Sequence, residues 1–158
     1  MNECRYKVAA AVVNGKIFCC GGWNKSHLDS VECYDPSSDV WTFISNMPRN
    51  IEGHGAVEID GHFIIMGGIG GWKNVWALDA MDKNAKWIKK PPMSRTRMWF
   101  SIAKIEDKIF VCGGTGADAG YNVRIFDGEV WRNGPNMPIS RHWTPAVVIP
   151  MEFARYLS

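Results

Sequence analysis

Three arginines recur at even intervals, Arg49, Arg95 and Arg141, each 46 residues from the next. A guanidinium is a planar fork of donors that can hold a carboxylate or phosphate through two parallel hydrogen bonds. Other residues of contact-making type stand near them: Trp23, Asn24, Lys25, Asn50, Gly71, Trp72, Lys73, Arg97, Thr115, Asp118, His142 and Trp143. Arginine and tryptophan are enriched where protein contacts carry most of their energy. The set therefore points to a ligand that carries carboxylate or phosphate groups. A second role is open to the recurring arginines, which could stack on tryptophans or bond to main-chain carbonyls. Arg97, Lys25 and Lys73 do not recur, and are either contact residues or solvated ones. Trp23 and Trp72 are the better tryptophans for contact, because Trp41, Trp87 and Trp131 recur and read as packing.

Bond-making chemistry finds less support. Cys20, His27 and Cys33 could begin a zinc site, but such sites use four ligands at tight spacing. Gly67-Gly68-Ile69-Gly70-Gly71 lacks the lysine and the following helix of a phosphate loop. His27, His54, His62 and His142 are dispersed, and no Ser-His-Asp set is visible. The expectation is a binding protein without enzymatic activity, metal or cofactor.

Residues of these types need a frame. The chain has 158 residues, 46% hydrophobic and 22% charged, with a net charge of +2. That composition fits one folded domain, and the charge is too mild to make nucleic acid the expected partner. Lys83, Lys86, Lys89, Lys90, Arg95 and Arg97 form a basic run. It reads better as a solubilised outer strand than as a binding stripe. The first residues hold no apolar signal core, and no 18-residue apolar run exists, so no membrane is expected and the chain reads as cytoplasmic. The five cysteines are odd in number and irregular in spacing, as expected of reduced thiols.

The frame is a repeat. Gly21-Gly22, Gly67-Gly68 and Gly113-Gly114 share the 46-residue interval, as do Asn14-Gly15, Asp60-Gly61 and Glu106-Asp107, while Trp41, Trp87 and Trp131 follow at 46 and 44. Each unit reads as four short strands, A to D. Strand A is expected over Val8–Val13, Gly55–Ile59 and Phe100–Ile105; strand B over Ile17–Cys20, Phe63–Met66 and Ile109–Cys112; strand C over Val31–Tyr34, Val75–Leu78 and Val123–Phe126. The A–B dipeptides suit a hairpin turn. Strand B is apolar on both faces, as a strand covered on both sides must be. Strand D carries the tryptophan, and each unit closes near Met47-Pro48, Pro92-Met93 or Met137-Pro138.

A Gly pair after an apolar strand, a loop, an aromatic, a Trp and then Met-Pro and Arg resembles the kelch motif. Gly21-Gly22-Trp23 through Val31-Glu32-Cys33-Tyr34-Asp35-Pro36 to Trp41 is especially similar to repeats of BTB-kelch proteins. The resemblance implies an all-β fold of kelch-type β-propeller blades, covering about residues 5–149. It divides the single domain, 1–158, into blades at about 5–48, 49–94 and 95–140, the first strand of a fourth unit at 141–149, and a tail at 150–158. Propellers close with about four to eight blades. Three leave an arc with two apolar flanks, which points to part of a larger propeller or a decayed gene product, with self-association as the third reading. In BTB-kelch substrate receptors the matching positions line a pocket for acidic peptides. The resemblance thereby implicates Trp23, Arg49, Asn50, Arg95, Arg97 and Arg141. It implies a partner-binding module of the ubiquitin-ligase adaptor kind, although the 158 residues hold no BTB segment. Actin binding and a small propeller enzyme are the alternatives; a kelch-fold copper oxidase family uses two Tyr, two His and a Tyr–Cys crosslink.

Overall fold

The computed structural model describes residues 1–149 except 71, 83, 117 and 118. Gly71, Lys83, Asp118 and the tail 150–158 therefore lie outside the described residues. Fourteen strands are assigned among the described residues. The first sheet contains β1 (Ala9–Val13), β2 (Lys16–Cys20), β5 (Val31–Asp35) and β6 (Val40–Phe43). The second contains β7 (Gly55–Ile59), β8 (His62–Met66), β9 (Val75–Asp79) and β10 (Ile88–Lys90). The third contains β11 (Ser101–Ile105), β12 (Lys108–Cys112), β13 (Val123–Phe126) and β14 (Trp131–Asn133). Each is a four-stranded antiparallel meander, in the order A, B, C, D. A small hairpin, β3 (Trp23–Asn24) and β4 (Ser26–His27), occupies the first B–C loop. Among the described residues no helix is long and apolar enough to cross a membrane.

The expected strands are present, with ends moved by a residue. Asn14-Gly15 and Asp60-Gly61 both take positive φ throughout, as a primed turn requires; in the third turn only Glu106 of the pair does. The first strand of a fourth unit is not formed. Residues 141–149 make no ladder, because among the described residues no second strand lies alongside to accept their hydrogen bonds.

The innermost strands pack blade to blade, β1 on β7 and β7 on β11. Val13, Phe18, Val31, Ile51, Phe63 and Ile65 form the core between the first two blades. Ile59, Ile64, Met66, Val75, Ile109 and Phe126 form the core between the second and third. β8, between two neighbours, is buried on both faces from Phe63 to Met66. The strand-D tryptophans staple neighbours together: Trp87 Nε1 donates to the Ser45 carbonyl at 3.4 Å and Trp131 Nε1 to that of Pro91 at 2.9 Å.

The glycine pairs are the other staple. The N–H of each second glycine donates to the next blade's lead into strand A: Gly22 to Ile51, Gly68 to Arg97 and Gly114 to Arg141. That bond brings backbone against backbone at the first glycine. A Cβ on Gly67 would sit 2.6 Å from the Arg97 carbonyl oxygen, at a φ of +66°. Gly67→Ala is therefore expected to destabilise the fold by ~2 kcal/mol or more, read as a lowered urea midpoint, since both the left-handed backbone and the clash oppose it. An unchanged midpoint would show that the blades do not meet there.

Candidate functional site

Alternating strands put the B–C loops and the D–A links at one end of the blades. The glycine-pair bonds confirm that these segments touch, since each joins a B–C loop to the following D–A link. A further ladder runs along the same end. Trp99 N–H donates to the Gly53 carbonyl and Trp143 N–H to the Trp99 carbonyl, both at 2.9 Å. Lys7, Gly53, Trp99 and Trp143 all take left-handed φ values, one per lead into strand A.

These bonds correct the register of the arginines. Ile51, Arg97 and Arg141 receive equivalent glycine N–H bonds. Arg141 is thus the counterpart of Arg97, and Ile139 is that of Arg95. The even spacing of Arg49, Arg95 and Arg141 is coincidental in its last step, because the third C–D turn is shorter. The 46-then-44 spacing of the tryptophans carries the true register.

Arg97 is not a rim residue. It is 3% exposed. Its Nη1 donates to the carbonyls of Gly113 at 2.7 Å and Asn122 at 2.9 Å, with Ala119 at 3.5 Å. Burial first, and then the neighbouring Arg124, lower its pKa to about 10, which leaves it charged at neutral pH. Arg5, two repeat lengths earlier, does the same work in the first blade. Its Nη1 donates to Gly21 and Ser30 carbonyls at 3.0 and 3.1 Å. Arg5 was legible from that doubled interval but does not stand out in a comparison of neighbouring units, because the second blade places Ile51 there. Its other nitrogen binds Glu32 at 2.8 Å. Burial works against the Glu32 carboxylate, but the Asn2 and Glu3 N–H groups and Arg5 outweigh it and hold the pKa below the usual value. Such carbonyl clamps are the structural role open to arginine at this end of a blade.

The remaining residues stay at the surface. Arg49, Asn50, Lys73, Arg95, Arg141 and His142 are exposed. The Arg49 guanidinium lies 5.5 Å from the centre of the Trp72 ring. This cation–π pair holds the fork in place. Trp143 is 58% exposed and stacks on Trp99 with ring centres 4.5 Å apart. Trp99 is a rim aromatic that the sequence motif did not single out. Its only sequence signal is its interval to Trp143, which matches that of the strand-D tryptophans in the same units. Trp23 is half-buried and meets the edge of His27 at 4.6 Å. Lys25 sits at the tip of the β3–β4 hairpin with a φ of 60°. Thr115 is half-buried, its backbone paired with Met98.

Cys20, His27 and Cys33 go to different places. Cys20 is buried with its Sγ 3.2 Å from His54 Nε2, His27 packs on Trp23, and Cys33 lies in the cleft between the outer strands. Among the described residues no group of three or more His, Cys, Asp or Glu side chains is placed to hold a metal ion. Burial pushes the Cys20 thiol up and holds His54 down at about 4. The pair is therefore neutral on both sides at pH 7, which is packing and not an activated nucleophile.

Residues 4–48 match the family model described as Kelch motif. The chain is 31% identical to Kelch-like protein 36 of Bos taurus over 121 residues, which is 73% of this chain and 19% of that protein. It is 26% identical to Beta-scruin of Limulus polyphemus over 132 residues, 76% of this chain and 14% of that protein. It thus spans less than a quarter of the length of these curated relatives. The solved structure of YjhT superposes with a TM-score of 0.73, covering 88% of this chain and 58% of that one at 16% identity, a likeness of fold.

Proposed function

This chain belongs to the kelch-repeat family, and we propose that its B–C and D–A rim is a non-enzymatic surface for an acidic segment of a protein partner. The observation that carries the reading is Arg49 held over Trp72 at a loop-built rim. A guanidinium already oriented by a ring loses less freedom when it takes a carboxylate. Arg95, Arg141 and His142 add exposed cationic or polar groups on the neighbouring links. The likeness to Kelch-like protein 36 and to Beta-scruin supports a protein partner. The same rim would serve an adaptor or a cytoskeletal protein. Arg97 has no part in it, since it is buried and its Nη1 is taken by main-chain carbonyls.

The double variant Arg49→Ala, Arg95→Ala is expected to weaken binding of an acidic peptide about tenfold or more while leaving the urea midpoint nearly unchanged. Isothermal titration with a tetraglutamate peptide, and with tetralysine as control, checks it. Equal affinity before and after the substitutions would sink the acidic-ligand reading. Co-sedimentation with filamentous actin tests the cytoskeletal alternative.

A further inference from the structure

Blades splay outward like wedges. Their inner strands touch and their outer strands diverge, so each blade junction opens a cleft at its outer side, near the A–B and C–D turns. The clefts at the two junctions are not alike. The first has a volume of about 770 Å³ and the second about 150 Å³. Only the first falls within the usual range for ligand sites.

The reason lies in a few side chains. At the second junction Lys90 reaches across to Glu129 at 3.1 Å and closes the gap. In the first blade the residue one repeat earlier is Ile44, on the same face as Val40, so no such bridge forms and an apolar wall stands in its place. The turn opposite is longer as well: residues 80–87 join β9 to β10, against 127–130 between β13 and β14. Phe18, Cys33 and Thr42 stand side by side across the first blade and, with Val13 and Leu78, form the floor. Val40, 49% exposed, and Ile44 share the face of Thr42 and form one lip.

The charged residues lining the cleft are Asp35, Asp79, Asp82 and Lys16. Lys16 is taken by Asp35 at 2.8 Å. That bond, then the Ser37 hydroxyl and N–H, hold the Asp35 carboxyl down at about 2. Asp79 and Asp82 each accept one N–H from their own turn, at Met81 and Asn84, which among the described residues leaves each a second carboxylate oxygen to offer. An apolar floor under an acidic mouth complements a large apolar side chain flanked by lysines or arginines.

We propose that the first interblade cleft is a second docking site, for a basic segment of a protein partner that inserts one large apolar side chain. It is separate from the arginine rim, at the opposite ends of the strands, and stands whether or not that rim binds acidic ligands.

The probes are acetylated, amidated peptides: Gly-Lys-Lys-Phe-Lys-Lys-Gly, the same peptide with Gly for Phe, and Gly-Glu-Glu-Phe-Glu-Glu-Gly. Binding is read by titration calorimetry, and occupancy by N-ethylmaleimide labelling of Cys33 resolved by mass spectrometry, with exposed Cys4 as internal reference. The Lys–Phe peptide is expected to bind about tenfold tighter than either control and to slow Cys33 labelling relative to Cys4. Asp79→Asn with Asp82→Asn keeps the acceptors of both turns and should abolish the preference for lysine; Val40→Ala with Ile44→Ala should abolish the preference for Phe. Equal binding of the three peptides, or Cys33 labelling unaffected by a bound peptide, would overturn the proposal. So would loss of binding on Arg49→Ala with Arg95→Ala, which would place the peptide at the rim. Self-association abolished by Val40→Ala with Ile44→Ala would put a second copy in the cleft and overturn it too.

Discussion

Arg97→Ala is expected to lower stability by about 3–5 kcal/mol, a loss far beyond that of any single rim substitution. The guanidinium is buried and gives Nη1 to the Gly113 and Asn122 carbonyls at 2.7 and 2.9 Å. These carbonyls bracket the third B–C loop, so the side chain ties the end of β12 to the start of β13. Truncation removes charge-assisted bonds from both carbonyls in a space too dry to resupply them, although the Asn122 carbonyl still accepts the Gly113 N–H. Arg97→Lys should recover part of the loss, since it keeps the charge but its ammonium does not sit where Nη1 meets the carbonyls together. Arg95 lies two positions away and is exposed. Arg95→Ala should cost about 1 kcal/mol or less, the scale of an exposed polar contact. Urea denaturation of the three variants checks the series. If Arg97→Ala kept its midpoint but lost affinity for acidic peptides, Arg97 would be a ligand residue and the clamp would be wrong.

The second large effect is a dependence on pH. His54 is buried between the first two blades, and burial lowers its pKa to about 4 from 6.5. Above pH 6.5 both folded and unfolded chains carry it neutral, and it adds no slope. Below that the unfolded chain takes up a proton that the folded chain refuses. Stability is therefore whole above about pH 6.5 and is lost toward pH 4, by ~2 kcal/mol at pH 5 and ~3 kcal/mol at the end of the window. The remedy is written in the third blade. Phe100 lies against Gly67 as His54 lies against Gly21, each with a ring carbon within 2.7 Å of where a glycine Cβ would be. His54→Phe should fit the same space and flatten the loss between pH 6.5 and 5. Carboxylates such as Glu32 and Glu58 titrate lower and are common to both chains, so they cancel in the comparison. Urea midpoints at pH 7 and 5 for both proteins give the result, and an equal drop in both would rule His54 out as the source.

These two residues mark where the fold is readable in the sequence and where the site is not. The strands, turns and glycine pairs follow local rules that recur every 46 or 44 residues. A run such as Phe63–Met66 must be covered on both faces, and Asn14-Gly15 must turn. Three blades of four strands were therefore available from the sequence alone. Most of the rim was too, because alternating strands necessarily bring the B–C and D–A segments to one end. Arg49, Trp72, Arg95 and Trp143 lie there as the pattern implies.

What the tertiary structure decided is how each cationic or aromatic side chain is used. Arg95 and Arg97 are near neighbours of one type, yet one is exposed and the other is enclosed by carbonyls from the B–C loop of its own blade. Arg141 shares its spacing with Arg95 but its backbone bond with Arg97, because a shorter turn elsewhere in the unit shifts everything after it. The cleft at the first junction depends on Ile44 standing where the next blade has Lys90. Strand and turn identity is local and periodic, so it survives in one dimension. Exposure, pairing and cavity volume depend on which loop or blade, distant in sequence, packs against the residue, and only the packed fold brings the two together.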